Sequence, residues 1–499
     1  MKFNHHTVTI YLSTAFLIAS TFESAAFSLL GPIQPWMQMT NGVFSIGDIG
    51  GPMCISNAYR WNVPVVTYGF DQSFLNYFGS NGVAAVESAI QILNELPLAS
   101  QLVLTNYPRN SEAMNYAADA QSLYDLKSVT LSLLLEQMGL GQPTRNIFVL
   151  KQWNPLFISD PYEGQWPEGT IPNYIVQRNF DPQTLNANSY VNGSLYSAHV
   201  ASQNNQNSII SIPVDPLRFT TAVADFNLES GGFYTGLTYD DAGGLAYLLS
   251  TNNVNYETLL SGVVGAGTNA NSFVNGAWRP GMDKMTFIPQ PVDSESGSFL
   301  PITNYFNDSY ITNGIWQQQM VRIISQPDFL FSAGDVTLGI PTIPFYSRTG
   351  STNWLNDAVA NGNTNNAGPG VIQPQVQIIF NKLGRKLVSD GSISDEQVFD
   401  ESQFWSSFDS STNAPVVYPI TQTGTNQLTV RMWLQFVERI QESYVWQPSS
   451  LSSARFAMQT STNRMNWTTL FTVTNSGSVC TYFNENPASA VRFYRLIPQ

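Results

Sequence analysis

Tyr239-Asp240-Asp241 precedes Ala-Gly-Gly and a helical stretch, which sets two carboxylates at a helix N-terminus. Two carboxyls flanking a cleft suffice to cleave a glycosidic bond. The same pair also serves as a helix cap, because that end of the helix dipole favours anions. A second acidic group, Asp390, Asp395, Glu396, Asp400 and Glu401, falls beside Gly391 and Ser392. Oxygen-rich loops of this kind bind Ca2+ in exported proteins, although the spacing departs from the EF-hand loop and a solvated acidic loop has the same composition. Cys54 and Cys480 are the only cysteines. They read either as one disulfide joining the two ends of the chain or as two free, buried thiols.

Imidazole is nearly absent. The histidines are His5, His6 and His199, and the first two lie in a segment that reads as an export leader. Zinc proteases need two or three imidazoles, and a hydrolytic triad needs one beside its nucleophile. His199 has Ser197 two residues away in a strand-like run, which is not triad geometry. No residue is therefore assigned a catalytic or metal-binding role. No cofactor is expected, with Ca2+ at the acidic loop as the one candidate.

The leader consists of Lys2 and two histidines, an apolar stretch from Val8 to Ile18, and Ser24-Ala25-Ala26 at the positions a signal peptidase reads. Cleavage is expected after Ala26, giving a secreted or cell-surface protein. No later run is long and apolar enough for a transmembrane segment. Charged residues make up 11% of the chain and the net charge is −14. The balance persists after cleavage, because Lys2 and Glu23 leave together. An acidic chain without a basic cluster is repelled by nucleic acid and by anionic lipid.

The elements that must position these residues change in character along the chain. From residue 27 to 163 strand-like and helix-like segments alternate. Val63–Phe70 reads as a strand, Asn81–Leu96 as a helix stopped by Pro97, Asp125–Met138 as a second helix closed by Gly139 or Gly141, and Ile147–Leu150 as a short strand. Residues 164–422 are β-rich with Asn/Gly-rich connections, and only Asp240–Leu260 looks helical. Residues 423–499 suggest five short strands, a small Ig-like β-sandwich. The expected fold class is therefore α+β and multidomain.

Two resemblances add to this. Phe456-Ala-Met-Gln-Thr-Ser-Thr-Asn463, Asn466-Trp467-Thr468 and Arg492-Phe493-Tyr494-Arg495 resemble the C-terminal β-sandwich module of exported proteins of verrucomicrobial-type bacteria. That resemblance implies an attachment or sorting module without an active site. Residues 126–142 resemble the active-site helix of matrixin-type (metzincin) zinc proteases, whose pattern is H-E-x-x-H-x-x-G-x-x-H. Here the ligand positions hold Ser132, Glu136 and Gln142, the general-base position holds Leu133, and only Gly139 matches. The resemblance implies a metzincin-like scaffold without its zinc. An ordinary amphipathic helix with a glycine C-cap has the same residues.

The leading expectation is an exported, non-catalytic protein of the cell surface or of an extracellular assembly, with a structural or binding role. The alternatives are a carboxylate-dependent polysaccharide hydrolase and a glycan-binding protein that uses exposed tryptophans among Trp153, Trp166, Trp278, Trp316, Trp354, Trp405, Trp433, Trp446 and Trp467. Expected partners are a second copy of the chain or a surface glycan.

Overall fold

The structure is a computed structural model. It describes residues 25–32, 50–152, 173–203, 206–217, 220–267, 273–334, 346–348, 354–356, 370–381, 387–389, 397–399 and 404–418, and short strands between 427 and 498. Helices and strands are mixed, strands dominate, and they divide among several sheets.

The centre is a five-stranded mixed sheet in the order Thr286–Pro289, Val65–Phe70, Phe329–Gly334, Val376–Asn381, Tyr346–Arg348. The first four strands run parallel to their neighbours and the last is antiparallel. Strands such as VVTYGF and FLFSAG are apolar nearly throughout, as parallel strands covered on both faces must be. The helix Gln72–Asn94 covers one side through Phe74, Phe78, Val86, Ile90 and Leu93, all buried. Its first turn is fixed by Asp71, whose carboxylate accepts the Phe74 amide at 2.9 Å and the Ser332 hydroxyl at 2.6 Å. One cap thus holds the helix both to itself and to the sheet.

The long helix starts at Gln72 rather than Asn81, with a break at Gly79, whose φ is +60°. The break at Gly79 interrupts the helical period on the sequence. The second helix, Leu126–Gln137, begins as expected at Asp125, whose side chain accepts the Ser128 amide. It ends at Met138 and turns at Gly139, where φ is +108° and a β-carbon would stand 2.3 Å from the Tyr59 carbonyl oxygen. Only glycine satisfies both conditions. The third helix is shorter than expected: Tyr239–Leu249, followed by a strand at Asn255–Thr258 instead of helix to Leu260.

Strand pairings cross the boundary drawn at residues 163/164. Residues 65–70 lie between strands 286–289 and 329–334, Tyr59–Arg60 pairs with strand 370–372, and Leu123–Asp125 pairs with Phe404–Ser407. One hydrophobic core runs from Phe27 to Tyr418. Local composition carries no information about such distant pairings, so a change of texture along the chain need not mark a boundary. In the C-terminal region, Thr468–Thr474, Arg455–Ser461 and Phe493–Pro498 form a three-stranded antiparallel sheet.

A second five-stranded sheet is antiparallel, in the order Asn255–Thr258, Gly276–Arg279, Ile302–Ile311, Ile315–Ile324, Val263–Gly265. Its two long strands form a ten-residue-per-arm hairpin turning at Thr312-Asn313-Gly314. No helix among the described residues is long and apolar enough to cross a membrane.

Candidate functional site

The acidic pair at the third helix is committed to the fold. Asp241 accepts the amides of Val223, Ala224 and Thr238, each at 2.9 Å. It thereby completes a capping box with Thr238 and ties loop 221–226 to the helix start. Asp225, in that loop, accepts the Thr144 amide at 2.6 Å and hydroxyl at 2.7 Å, and the Ala222 amide at 2.7 Å. Asp240 accepts the Asn192 amide at 2.6 Å, while its own amide donates to the Asn192 side chain. All three carboxyls are buried. Burial pushes the Asp225 carboxyl up to about 7, and it raises Asp240 and Asp241 as well. Asp125, beneath the second helix, is raised by burial to about 6. These groups face backbone amides rather than a cleft, so Asp240 and Asp241 do not form the glycosidase pair.

A groove of about 500 Å³ does lie nearby, lined by Thr144, Arg145, Phe148, Tyr196, Ile209 and Thr221. Thr144 spends its amide and hydroxyl on Asp225, which leaves the groove wall without a carboxylate from this cluster.

The matrixin-like positions each have an ordinary place in the fold. Ser132 is buried and donates to the Val223 carbonyl at 2.7 Å, Leu133 is core, and Glu136 and Gln142 are half-buried on separate turns of chain. Among the described residues no three His, Cys, Asp or Glu side chains gather as a metal site would require. Gly139 has a sufficient reason in the turn and in the Tyr59 carbonyl. Cys54 is half-buried, and Cys480, its partner in the candidate disulfide, lies outside the described residues. Asp390, Asp395, Glu396, Asp400 and Glu401 all lie outside them too. His199 is exposed on strand Ser194–Gln203, opposite Ile210.

What the fold does assemble is an inverted sheet. In a one-sided antiparallel sheet charged residues normally face water and apolar ones the core. Here the inward phase of the antiparallel sheet carries the charges. Arg279 meets Asp308 at 2.9 Å, Arg60 meets Glu257 at 2.7 Å, and Arg322 meets Asp328 at 3.0 Å, every partner buried. Arg60 also donates to the carbonyls of Asn253 and Arg279, and Arg279 to those of Asn275 and Val274. Arg60 and Asp328 belong to neighbouring elements, so these pairs fasten the sheet to the body and use up its charge.

The outward phase has no charged side chain in any of the five strands. Tyr256, Trp278, Ile311 and Ile315 follow one another across the sheet at one end. Val264, Val321 and Tyr305 do so toward the other, with Ile323 beside them. Between them stand Asn307 opposite Gln319 and Ser309 opposite Gln317. Trp278 is 54% exposed, Tyr305 73%, Ile315 78% and Ile323 60%. Tyr256 and Trp278 pack edge-to-face with centroids 5.8 Å apart, so their rings are held in a set orientation. The two long strands make this face roughly 33 Å long. The sequence reading named Trp278 and Trp316 but missed Tyr256, Tyr305 and the sheet that joins them. The available signal was the alternation in 302–324, where Asp308 and Arg322 share a phase with Phe306 and Met320.

Comparison with known proteins adds no relative: no protein family, curated protein or solved structure matches the chain.

Proposed function

We propose that this is an exported, non-catalytic binding protein of the cell surface or an extracellular assembly, and that the outward face of the antiparallel sheet holds a neutral polysaccharide. One observation carries the reading: an exposed, uncharged face of oriented aromatic rings, aliphatic side chains and side-chain amides, on a sheet whose charges are all paired inward. Sugar rings present an apolar face that stacks on aromatics and a rim of hydroxyls that bonds to amides such as Asn307, Gln317 and Gln319. An ionic ligand finds no counter-charge there, and a polyuronate is disfavoured further by the net charge of −14. The export leader and the low overall charge support an extracellular setting. Under this reading the matrixin-like helix contributes scaffold alone.

The test is retention on an insoluble neutral polysaccharide. The exported protein is expected to be held and to elute when Trp278→Ala and Tyr305→Ala are combined. Retention unchanged by the double substitution removes the face from the account, and release of soluble sugar from the matrix replaces binding with turnover.

A further inference from the structure

The carboxyl of Asp240 is fully buried, and it is only partly provided for. Oδ2 takes the Asn192 amide at 2.6 Å, whereas Oδ1 has no hydrogen-bond partner among the described residues. Among the described residues no lysine or arginine pairs with it, and the charges beside it, Asp241 and Asp225, are of its own sign. An unpaired buried carboxylate costs several kcal/mol by order of magnitude, so a fold that keeps one has a use for it or a partner to supply.

The element packed over Asp240 is the start of the first strand, Phe27–Gly31. A β-carbon on Gly244, one helical turn after Asp240, would stand 3.1 Å from Phe27 Cβ. Phe27 therefore lies on the helix face that carries Asp240, and its ring stacks on Tyr247 at 5.8 Å. The chain just before it, Ala25 and Ala26, is buried. The Ala26 amide is close enough to favour the ionised carboxyl but makes no hydrogen bond to Oδ1. The residues at this point are also those of the expected processing site, Ser24-Ala25-Ala26.

We propose that removal of the leader after Ala26 makes Phe27 the first residue, and that its new ammonium is the counter-ion of Asp240. The step is hydrolysis of the Ala26–Phe27 amide. Water supplies the oxygen of the carboxylate that departs with Ala26, and the freed nitrogen takes up a proton and stays with the fold. Removal of Ala25 and Ala26 opens space beside Oδ1, and the ammonium enters it with three donors where one amide stood. Processing then acts as a folding lock: the unprocessed chain holds a buried, unpaired acid, and the processed chain holds a buried ion pair.

This rests on the export reading, and the experiment separates the two. The exported protein is purified and its N-terminus sequenced. Thermal stability at pH 7 is then compared for four species: wild type, Asp240→Asn, a form extended by Ala25-Ala26, and the double form carrying both changes. The expected result is Phe27 as the first residue, a Tm lowered by several degrees in each single form, and little further loss in the double form. Acetylation of the terminal amine should reproduce the extension without any substitution, which keeps the test informative where Asp240→Asn fails to fold. The stabilisation should also fade as pH rises through the titration of the terminal amine, since its pKa is raised in the folded state by the pair. An intact leader overturns export and the pairing together. A processed chain that begins elsewhere, additive losses, or an acetylated form as stable as wild type overturns the pairing alone.

Discussion

Asp225, Asp241 and Asp125 bind their protons more tightly in the fold than in an unfolded chain, because burial outweighs the amides that each accepts. The sign follows from linkage: between the unfolded value near 4 and the folded values the native state holds the extra protons, so stability falls as pH rises. For Asp225 the window runs from about 4 to about 7. Denaturant midpoints are therefore expected to decline across that range, by up to about 1.4 kcal/mol per pH unit for each fully titrating group. Asp225→Asn should make the profile shallower while lowering the whole curve by about 1–3 kcal/mol for the lost acceptor. A midpoint that rises between pH 4 and 7 contradicts the assignment. Arg279 belongs to the same scale with the opposite lesson. Its guanidinium is spent on Asp308 and three carbonyls inside the sheet. Arg279→Met leaves Asp308 buried and unpaired, an expected loss of about 3–5 kcal/mol measured by chemical unfolding.

At the scale of elements, the parts visible in the sequence were those governed by near neighbours. Asp125 as a cap and Gly139 as the turn were legible because a helix end is decided within four residues. The first half of Gln72–Asn94 was not, since Gly79 interrupts the period and the Asp71 cap is completed by Ser332 from a distant strand. The boundary at 163/164 is crossed for the same reason: strand Val65–Phe70 finds its neighbours more than 200 residues away. The candidate face was half legible. Tryptophans could be named, but whether they pointed inward depended on a register that the buried Arg–Asp pairs set. Two substitutions separate scaffold from surface. Gly139→Ala should cost at least about 1–3 kcal/mol, because a methyl meets the Tyr59 carbonyl oxygen and φ is positive. Trp278→Ala, at an exposed site, should leave the unfolding midpoint within about 0.5 kcal/mol of wild type while weakening polysaccharide binding roughly three- to tenfold.

The whole molecule spends its few charges inward and on the rest of its surface, and leaves one broad sheet face to uncharged groups. Such a face has two uses, contact with a neutral polymer or contact with a second copy. The amide rows between the aromatic ends favour the polymer, so sedimentation velocity at micromolar concentration is expected to show a monomer. The most direct measurement is hydroxyl-radical footprinting of Tyr256, Trp278 and Tyr305, with and without a soluble neutral polysaccharide. A polyuronate serves as the control, and the monomer is followed throughout. The account predicts protection of all three side chains by the neutral polymer and none by the polyuronate. Equal labelling in every condition, or protection that appears with protein concentration instead of polysaccharide, would contradict it.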